Sequence, residues 1–339
     1  MEKIKLQTGS NQNCDIFVTH NLSHTPTFFQ EYIAPTRRYM AVIDEKVEQL
    51  YGDLFPFEKI IFHADETNKS WTIAGEIIQQ LIEKQADKDI FLLGIGGGIT
   101  TDITGFVASI YKRGVDFGFI PTTLLAMIDA AIGGKNGLNI LEFKNMVGTI
   151  RQPQWIYANT SFLKTFSKDK LYQGIPEMLK VFLIDGNDYF AAADFFIRQY
   201  NGELFATEEE VQQWIYFITK AIEIKCGFVR QDETDGGSRR LLNLGHTYAH
   251  AIEHCTQQYT HGEAVGIGLI FAAQQGDFPH LNHLIHTLQS CHLPCSLPTN
   301  LTIKDLHAAM LQDKKIKNQR LPFIILKDVG NVTFAEKQL

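Results

Sequence analysis

The chain is predicted to be an α/β protein, with an amino-terminal Rossmann-like nucleotide-binding domain and a mostly α-helical, metal-binding carboxy-terminal domain. Three observations predict this. Short apolar runs alternate with amphipathic helical stretches through the first half, the pattern of a parallel sheet covered by helices. One of those runs ends in GIGGG and opens into a helix. Beyond about Phe166 strand-like runs nearly vanish, and four of the twelve histidines gather between Leu242 and Gly266.

The elements follow in order. Tyr39–Ile43 (YMAVI) reads as a buried strand followed at once by Asp44, and Lys59–Phe62 is a second short apolar run. HADETNKSWTIAGEIIQQLIEK is a polar entrance to an amphipathic helix with Ile73, Ile77, Ile78 and Leu81 inward. Asp89–Leu93 is a third strand. The glycines at 94, 96, 97 and 98 follow it, where backbone can approach a dinucleotide pyrophosphate at a helix amino terminus. Ile99 breaks a strict GxGxxG spacing, so the loop also reads as a plain strand-to-helix turn. Phe117–Pro121 is a further strand, and Thr122–Thr123 open a short helix with Asp129 near its end. Gly133–Gly134 then make a turn that presents Lys135, and Lys144–Asn145 follow. Lysines on such loops are suited to oxyanions. The domain boundary is expected near Lys164–Lys170, giving domains 1–166 and 167–339. Helical patterns such as Val211–Cys226 and Glu263–Gln275 dominate the second, and a strand at Leu321–Leu326 closes it.

Bulk properties exclude several classes. A chain of 339 residues, 45% hydrophobic and 20% charged, can bury a full core in about two domains. Its net charge of −7, without a basic block, argues against nucleic acid. No apolar run reaches about 18 residues, so no membrane span is expected. MEKIKLQTGS lacks a signal core, and the five scattered cysteines read as reduced thiols in a cytoplasm. Cys291 and Cys295 lack the second pair that would complete a metal knuckle.

The chemistry concentrates in LNLGHTYAHAIEHCTQQYTHGEAVG. His246, His250 and His254 lie four apart, on one face of a helix. His246 and His250 could share a metal, but Thr247 stands where an HExxH enzyme has glutamate, which leaves open which histidines are ligands. His261 stands at the entrance of an apolar helix. Glu177 and Lys180 lie three apart, a spacing that on its own reads more often as a solvated ion pair. Lys225, Asp235, Arg239 and Asn243 lead up to His246, and Lys314 and Lys315 come near the end. Together with Arg113, Lys135 and Asn145, this set fits a small substrate bearing a phosphate and a carboxylate, bound at a metal beside a nicotinamide. Three nitrogen or oxygen ligands with one open position is the catalytic zinc arrangement.

The fragments GGGITTDITGFVASIYKRG, PTTLLAMIDAAIGGKNGLN, KNMVGTIRQP, GIPEMLK, RLLNLGHTYAHAIEH, HGEAVGIG and DKK, in this order, resemble the 3-dehydroquinate synthase family over about residues 40–326. The resemblance implies an NAD-dependent, Zn2+- or Co2+-dependent phosphate-eliminating lyase of aromatic biosynthesis, usually a homodimer. It implies metal ligands Glu177, His246 and His261. His250, Lys135, Asn145, Asn243 and Lys314 would surround the phosphate, with Arg113 supplied by the neighbouring subunit. Lys225 and Arg239 would hold the carboxylate, while Asp129 and Lys180 would meet ring hydroxyls. Asp44, Glu66, Lys69, Gly96, Gly97, Gly98, Asp102, Thr122, Thr123, Lys135 and Lys144 would bind NAD. The implied reaction converts 3-deoxy-D-arabino-heptulosonate 7-phosphate to 3-dehydroquinate. It runs through transient oxidation at ring C5, elimination of phosphate, reduction and an intramolecular aldol closure, and the substrate's phosphate can itself serve as the base. Two positions depart from the family pattern: Asp235 replaces a usual glutamate, and Lys46 replaces a common asparagine. The rivals are another sugar-phosphate cyclase, a metal-dependent polyol dehydrogenase, and a non-catalytic nucleotide-binding protein. Arg239 with Lys225 favours a carboxylated substrate.

Overall fold

A computed structural model gives the fold and describes all residues except 35, 142, 201–204, 312–319 and 339; for 311, 320–322 and 336–338 it describes backbone alone. The chain divides into two compact units, Met1–Thr165 with Val211–Thr234, and Phe166–Glu210 with Asp235–Leu339. This differs from a single cut after residue 166, because residues 211–234 count with the first unit.

The first unit contains β1 (Glu2–Gln7), β2 (Asn13–Thr19), α1 (His24–Tyr32), β3 (Tyr39–Asp44), α2 (Glu45–Tyr51), β4 (Glu58–Phe62), α3 (Trp71–Glu83), β5 (Phe91–Gly96), α4 (Gly98–Ile110), β6 (Asp116–Pro121), β7 (Lys135–Ile140), β8 (Phe143–Ile150) and β9 (Trp155–Asn159). Seven strands form one sheet in the order β1-β2-β9-β6-β5-β3-β4, parallel except for β1 against β2. The central strands β3 and β5 are apolar runs buried on both faces, as strands covered by helices on each side must be. The expected strands at 39–43, 59–62 and 117–121 lie within β3, β4 and β6, while β5 begins two residues later than the expected one. In α3, Ile77 and Leu81 are buried, Ile73 and Ile78 half-buried, and the Ser70 hydroxyl caps the first turn by accepting from the Ile73 amide.

Two local devices shape the carboxyl ends of these strands. At the glycine loop, a Cβ on Gly96 would stand 2.4 Å from the Thr100 hydroxyl, so only glycine lets the chain turn from β5 into α4 there. After β6 the helix widens to a π-turn at Ala126–Ala130, which carries Asp129. Such turns recur at functional sites. Lys135, Lys144 and Asn145, expected on loops, lie on the separate two-stranded hairpin β7–β8. Asn136 anchors that hairpin: its side-chain amide donates to the carbonyls of Gly134 (2.8 Å) and Arg151 (3.1 Å), and its Oδ1 fills the space a Cβ on Gly105 would need.

The second unit contains α5 (Lys168–Tyr172), α6 (Ile175–Asp185), α7 (Tyr189–Gln199), then, beyond α8 (Glu208–Gln231), α9 (His246–Cys255), α10 (His261–Gln275), α11 (Leu281–Ser290), α12 (Ile303–Leu311) and the hairpin β10 (Arg320–Asp328)–β11 (Asn331–Gln338). All but three residues of α8 belong to the first unit. α6 is buried from Ile175 to Ile184, and α10 is buried nearly all round. Glycines set how closely these helices meet: a Cβ on Gly268 would stand 2.1 Å from the Gly245 carbonyl, and one on Gly262 would stand 1.9 Å from the Gln173 carbonyl. Thr260 and Glu263 form a capping box that fixes the start of α10, and therefore His261. No helix of the described residues is long and apolar enough to cross a membrane. All five cysteines are unbridged.

Candidate functional site

The second unit holds the candidate metal centre. Glu177 is on the first turn of α6, His246 starts α9 and His261 starts α10. Glu177 Oε1 lies 3.3 Å from His246 Nε2 and 3.1 Å from His261 Nε2. Ligand atoms bound about 2.1 Å from a tetrahedral zinc stand roughly 3.4 Å apart, so these separations fit one small divalent ion. Among the described residues this is the one group of three metal-ligating side chains so gathered, its donor atoms all within 4.8 Å of one another. Two nitrogens and a carboxylate suit zinc or cobalt.

The ring nitrogens facing away from that point are also engaged. His246 Nδ1 is 3.2 Å from the Leu244 carbonyl, which places the proton on Nδ1 and the lone pair on Nε2. His261 Nδ1 is 3.2 Å from Glu253 Oε1. Both imidazoles are thus oriented from behind, as metal-binding histidines are. Burial alone would lower the His261 pKa, but hydrogen bonds to Glu177 and Glu253 outweigh it and raise the value to about 10. A metal taking Nε2 must displace that proton. Burial likewise opposes charge on Glu177, yet Lys180, His246 and His261 prevail and hold it well below the usual carboxylate range. Lys180 forms an ion pair with Glu177, and both side chains are fully buried. The commoner reading of that spacing, a solvated pair, is therefore wrong: α6 is apolar on every side, and the two charges were placed inside it together.

His250 is exposed and is not in the ligand cluster; its ring centroid stands 5.5 Å from that of His246. Arg239 is 3% exposed on the short turn Ser238–Asn243, where Asn243 is half-buried and donates to the Arg240 carbonyl at 3.1 Å. Asp235 has a left-handed φ of 61°. Lys314 and Lys315 lie outside the described residues.

In the first unit, several of the residues expected around a nucleotide and phosphate are joined to one another. Lys69 pairs with Asp102 on α4 and donates to Asn145 Oδ1 at 2.6 Å. The Asn145 amide donates to Asn139 Oδ1 (3.0 Å), and Asn139 Nδ2 donates to Glu66 Oε1 (2.8 Å), 3.8 Å from Lys144 Nζ. Burial raises the Asp102 pKa, against the pull of Lys69. Asp44 ends β3 and its carboxylate accepts from the Ala64 amide at 3.4 Å. Gly96, Gly97 and Gly98 lead into α4; the Thr122 amide donates to the Gly96 carbonyl (2.9 Å), and Thr123 Oγ1 accepts from the Ala126 amide (3.1 Å). Lys225 Nζ pairs with the Asp129 carboxylate and donates to its backbone carbonyl at 2.5 Å. Lys135 is exposed at the start of β7. Arg113 is exposed on a turn in which Lys112 and Arg113 both have left-handed φ, 46° and 66°. Lys46 is exposed on α2.

A description of the amino-terminal part of 3-dehydroquinate synthase matches residues 59–173, and one of the carboxy-terminal part matches 174–316. The chain belongs to the 3-dehydroquinate synthase family. The 3-dehydroquinate synthase of Alkaliphilus metalliredigens is 34% identical over 347 residues, covering 98% of this chain and 94% of the relative. That of Pyrococcus abyssi is 36% identical over 298 residues, covering 87% and 85%. Among solved structures, 2-epi-5-epi-valiolone synthase from Streptomyces hygroscopicus, with NAD+ and Zn2+ bound, is 25% identical with a TM-score of 0.82, covering 95% of this chain and 92% of that one. 2-Deoxy-scyllo-inosose synthase complexed with carbaglucose-6-phosphate, NAD+ and Co2+ shares the fold at a TM-score of 0.83 and 21% identity, covering 99% and 97%. A probable glycerol dehydrogenase from Sinorhizobium meliloti shares it less closely, at 0.63 and 16% over 88% and 89%.

Sequence reasoning missed Glu253. It lies seven residues after His246, close to two helical turns, and that spacing toward the ligand side was its available signal. The pairings Lys69–Asp102 and Lys225–Asp129 were invisible in sequence, since their partners lie 33 and 96 positions apart.

Proposed function

We propose that this family member is a 3-dehydroquinate synthase in activity, converting 3-deoxy-D-arabino-heptulosonate 7-phosphate to 3-dehydroquinate and phosphate. The observation that carries the reading is the convergence of two oriented imidazoles on a buried, lysine-paired carboxylate, in a chain that matches the family through both its parts. Glu177, His246 and His261 hold the divalent metal, and Asp44, Glu66, Lys69, Gly96–Gly98, Asp102, Thr122, Thr123, Lys135 and Lys144 hold NAD. When bound, these supply a Lewis acid for the substrate hydroxyl and a reversible hydride acceptor.

The chain's own residues position the substrate. Lys180 keeps Glu177 ionised while standing ready for a ring hydroxyl, and Asp129 meets another. Lys225 and Arg239 hold the carboxylate. Lys135, Asn145, Asn243, His250 and Lys314 surround the phosphate, which Arg113 reaches from a neighbouring subunit of a homodimer. The unbridged cysteines support a cytoplasmic enzyme.

The second reading is a cyclase acting on a sugar phosphate without a carboxylate, and the fold likeness to 2-deoxy-scyllo-inosose synthase favours it. Arg239 with Lys225 weighs against it, because both match positions that hold the substrate carboxylate in the family. One cuvette of protein, NAD, zinc and the heptulosonate 7-phosphate separates the readings. Phosphate released over many turnovers without net NADH is expected; NADH accumulating without phosphate would mean a plain dehydrogenase. Turnover only of uncarboxylated sugar phosphates would support the second reading.

A further inference from the structure

The turn Ser238–Asn243 carries two residues expected to meet the substrate, Arg239 and Asn243, and little in its own backbone holds it. It is a single short 3₁₀ stretch, a helix form with poor hydrogen-bond geometry. Asp235 with its left-handed φ, Gly236 and Gly237 precede it, and Gly245 with φ of 79° follows it. Arg240 stands in the middle. Its amide donates to the Gly237 carbonyl (3.2 Å), and its carbonyl accepts from the Asn243 side-chain amide (3.1 Å). That second bond uses one N–H of the Asn243 amide and so fixes the direction of the other.

The Arg240 side chain reaches outside the turn. Its guanidinium lies over the ring of Phe334 on β11, 5.2 Å from the centroid, where the ring quadrupole attracts a cation. Phe334 is 49% exposed, so the face that Arg240 covers is its evident use. β11 is a firm support, because the β10–β11 hairpin docks on all three helices that carry the metal-ligating residues. The Gly330 amide at its tip donates to the Leu183 carbonyl of α6 (2.8 Å), and a Cβ on Gly330 would stand 2.5 Å from Gly186, which ends that helix. A Cβ on Gly276, at the end of α10, would stand 1.9 Å from the Leu326 carbonyl of β10. The Phe323 ring of β10 lies 5.6 Å from that of Tyr248 on α9, which stacks on Phe271 of α10.

We propose that Arg240 and Phe334 are positioning residues for the substrate: the ring holds the guanidinium, and through it sets the turn that presents Arg239 and Asn243. The proposal deepens the proposed function and rests on the carboxylate and phosphate roles given there to those two residues. The hairpin then registers the substrate-binding turn against the same helices that hold Glu177, His246 and His261.

Steady-state kinetics with the heptulosonate 7-phosphate, NAD and zinc tests the pair. Phe334→Leu keeps an apolar side chain but removes the aromatic face. It should raise KM about 3–5-fold with kcat nearly unchanged, the mark of lost uniform binding. Phe334→Trp offers a stronger face and should keep KM at the unmodified value. Arg240→Met keeps the stem without the charge and should match Phe334→Leu, and the double variant should be no worse than either single change. All four should bind one Co2+ per chain, because the turn carries no metal ligand. A ring serving only as apolar cover would tolerate Leu and not Trp, and that result would overturn the proposal. Additive losses in the double variant, or Co2+ binding lost in Phe334→Leu, would overturn it too. Each of these leaves the proposed function standing, whereas an unmodified chain that does not turn over the heptulosonate 7-phosphate would overturn that function and the positioning role with it.

Discussion

The candidate metal centre and the cluster of the first unit where an anion is expected arrange their charged side chains in opposite ways. At the candidate metal centre the donors converge on one point, and each is held by a further group of the chain: the Leu244 carbonyl for His246, Glu253 for His261, Lys180 for Glu177. In the first unit the expected ligand-binding cations are engaged by the chain's own carboxylates, Lys69 by Asp102 and Lys225 by Asp129. A preassembled donor set binds with little reorganisation. Cations already paired must share or exchange partners when an anion arrives, which tempers affinity and keeps them in place beforehand.

The contrast can be broken from either side, and the largest effect belongs to the ligands. Glu177→Gln should remove the charged donor, with metal falling below stoichiometric amounts by elemental analysis and turnover dropping by at least about 1000-fold. Lys180→Met should cost about 3 kcal/mol of stability, because it strands a buried carboxylate. It should also move acid unfolding. The depressed Glu177 pKa contributes stability above the unfolded value of about 4.5, and that is lost as pH falls through the lower folded value. Without Lys180 the folded value rises, so the midpoint of acid unfolding, followed by circular dichroism, should shift to higher pH.

Arg239→Ala should impair the carboxylated substrate about 10–100-fold more than an uncarboxylated analogue in kcat/KM. An equal loss on both would remove its carboxylate role. Glu253→Gln should keep the fold and weaken metal binding about 10–100-fold, by titration against a chelator. An unchanged affinity would mean that His261 needs no orienting carboxylate.

Much of this was legible in the sequence where the signal is local. Apolar runs marked β3, β4 and β6, and the glycine loop marked the β5–α4 turn. The histidine-rich stretch marked the metal centre, although its spacing alone could not choose between His250 and His261; proximity in space to Glu177 favours His261. The two-stranded β7–β8 hairpin looks like loop in sequence because glycine, asparagine and a left-handed bulge interrupt its alternation. β1, β2 and β9 drew no expectation, though β9 is buried along its whole length. The return of residues 211–234 to the first unit leaves no local mark, since an amphipathic helix looks the same whichever core it serves.

The most direct test of a preassembled metal centre is Co2+ titration of chelator-stripped protein without NAD or substrate, followed by visible absorption. One Co2+ per chain is predicted, lost in His246→Ala and retained in His250→Ala. Binding that survives His246→Ala but fails in His250→Ala would contradict the account.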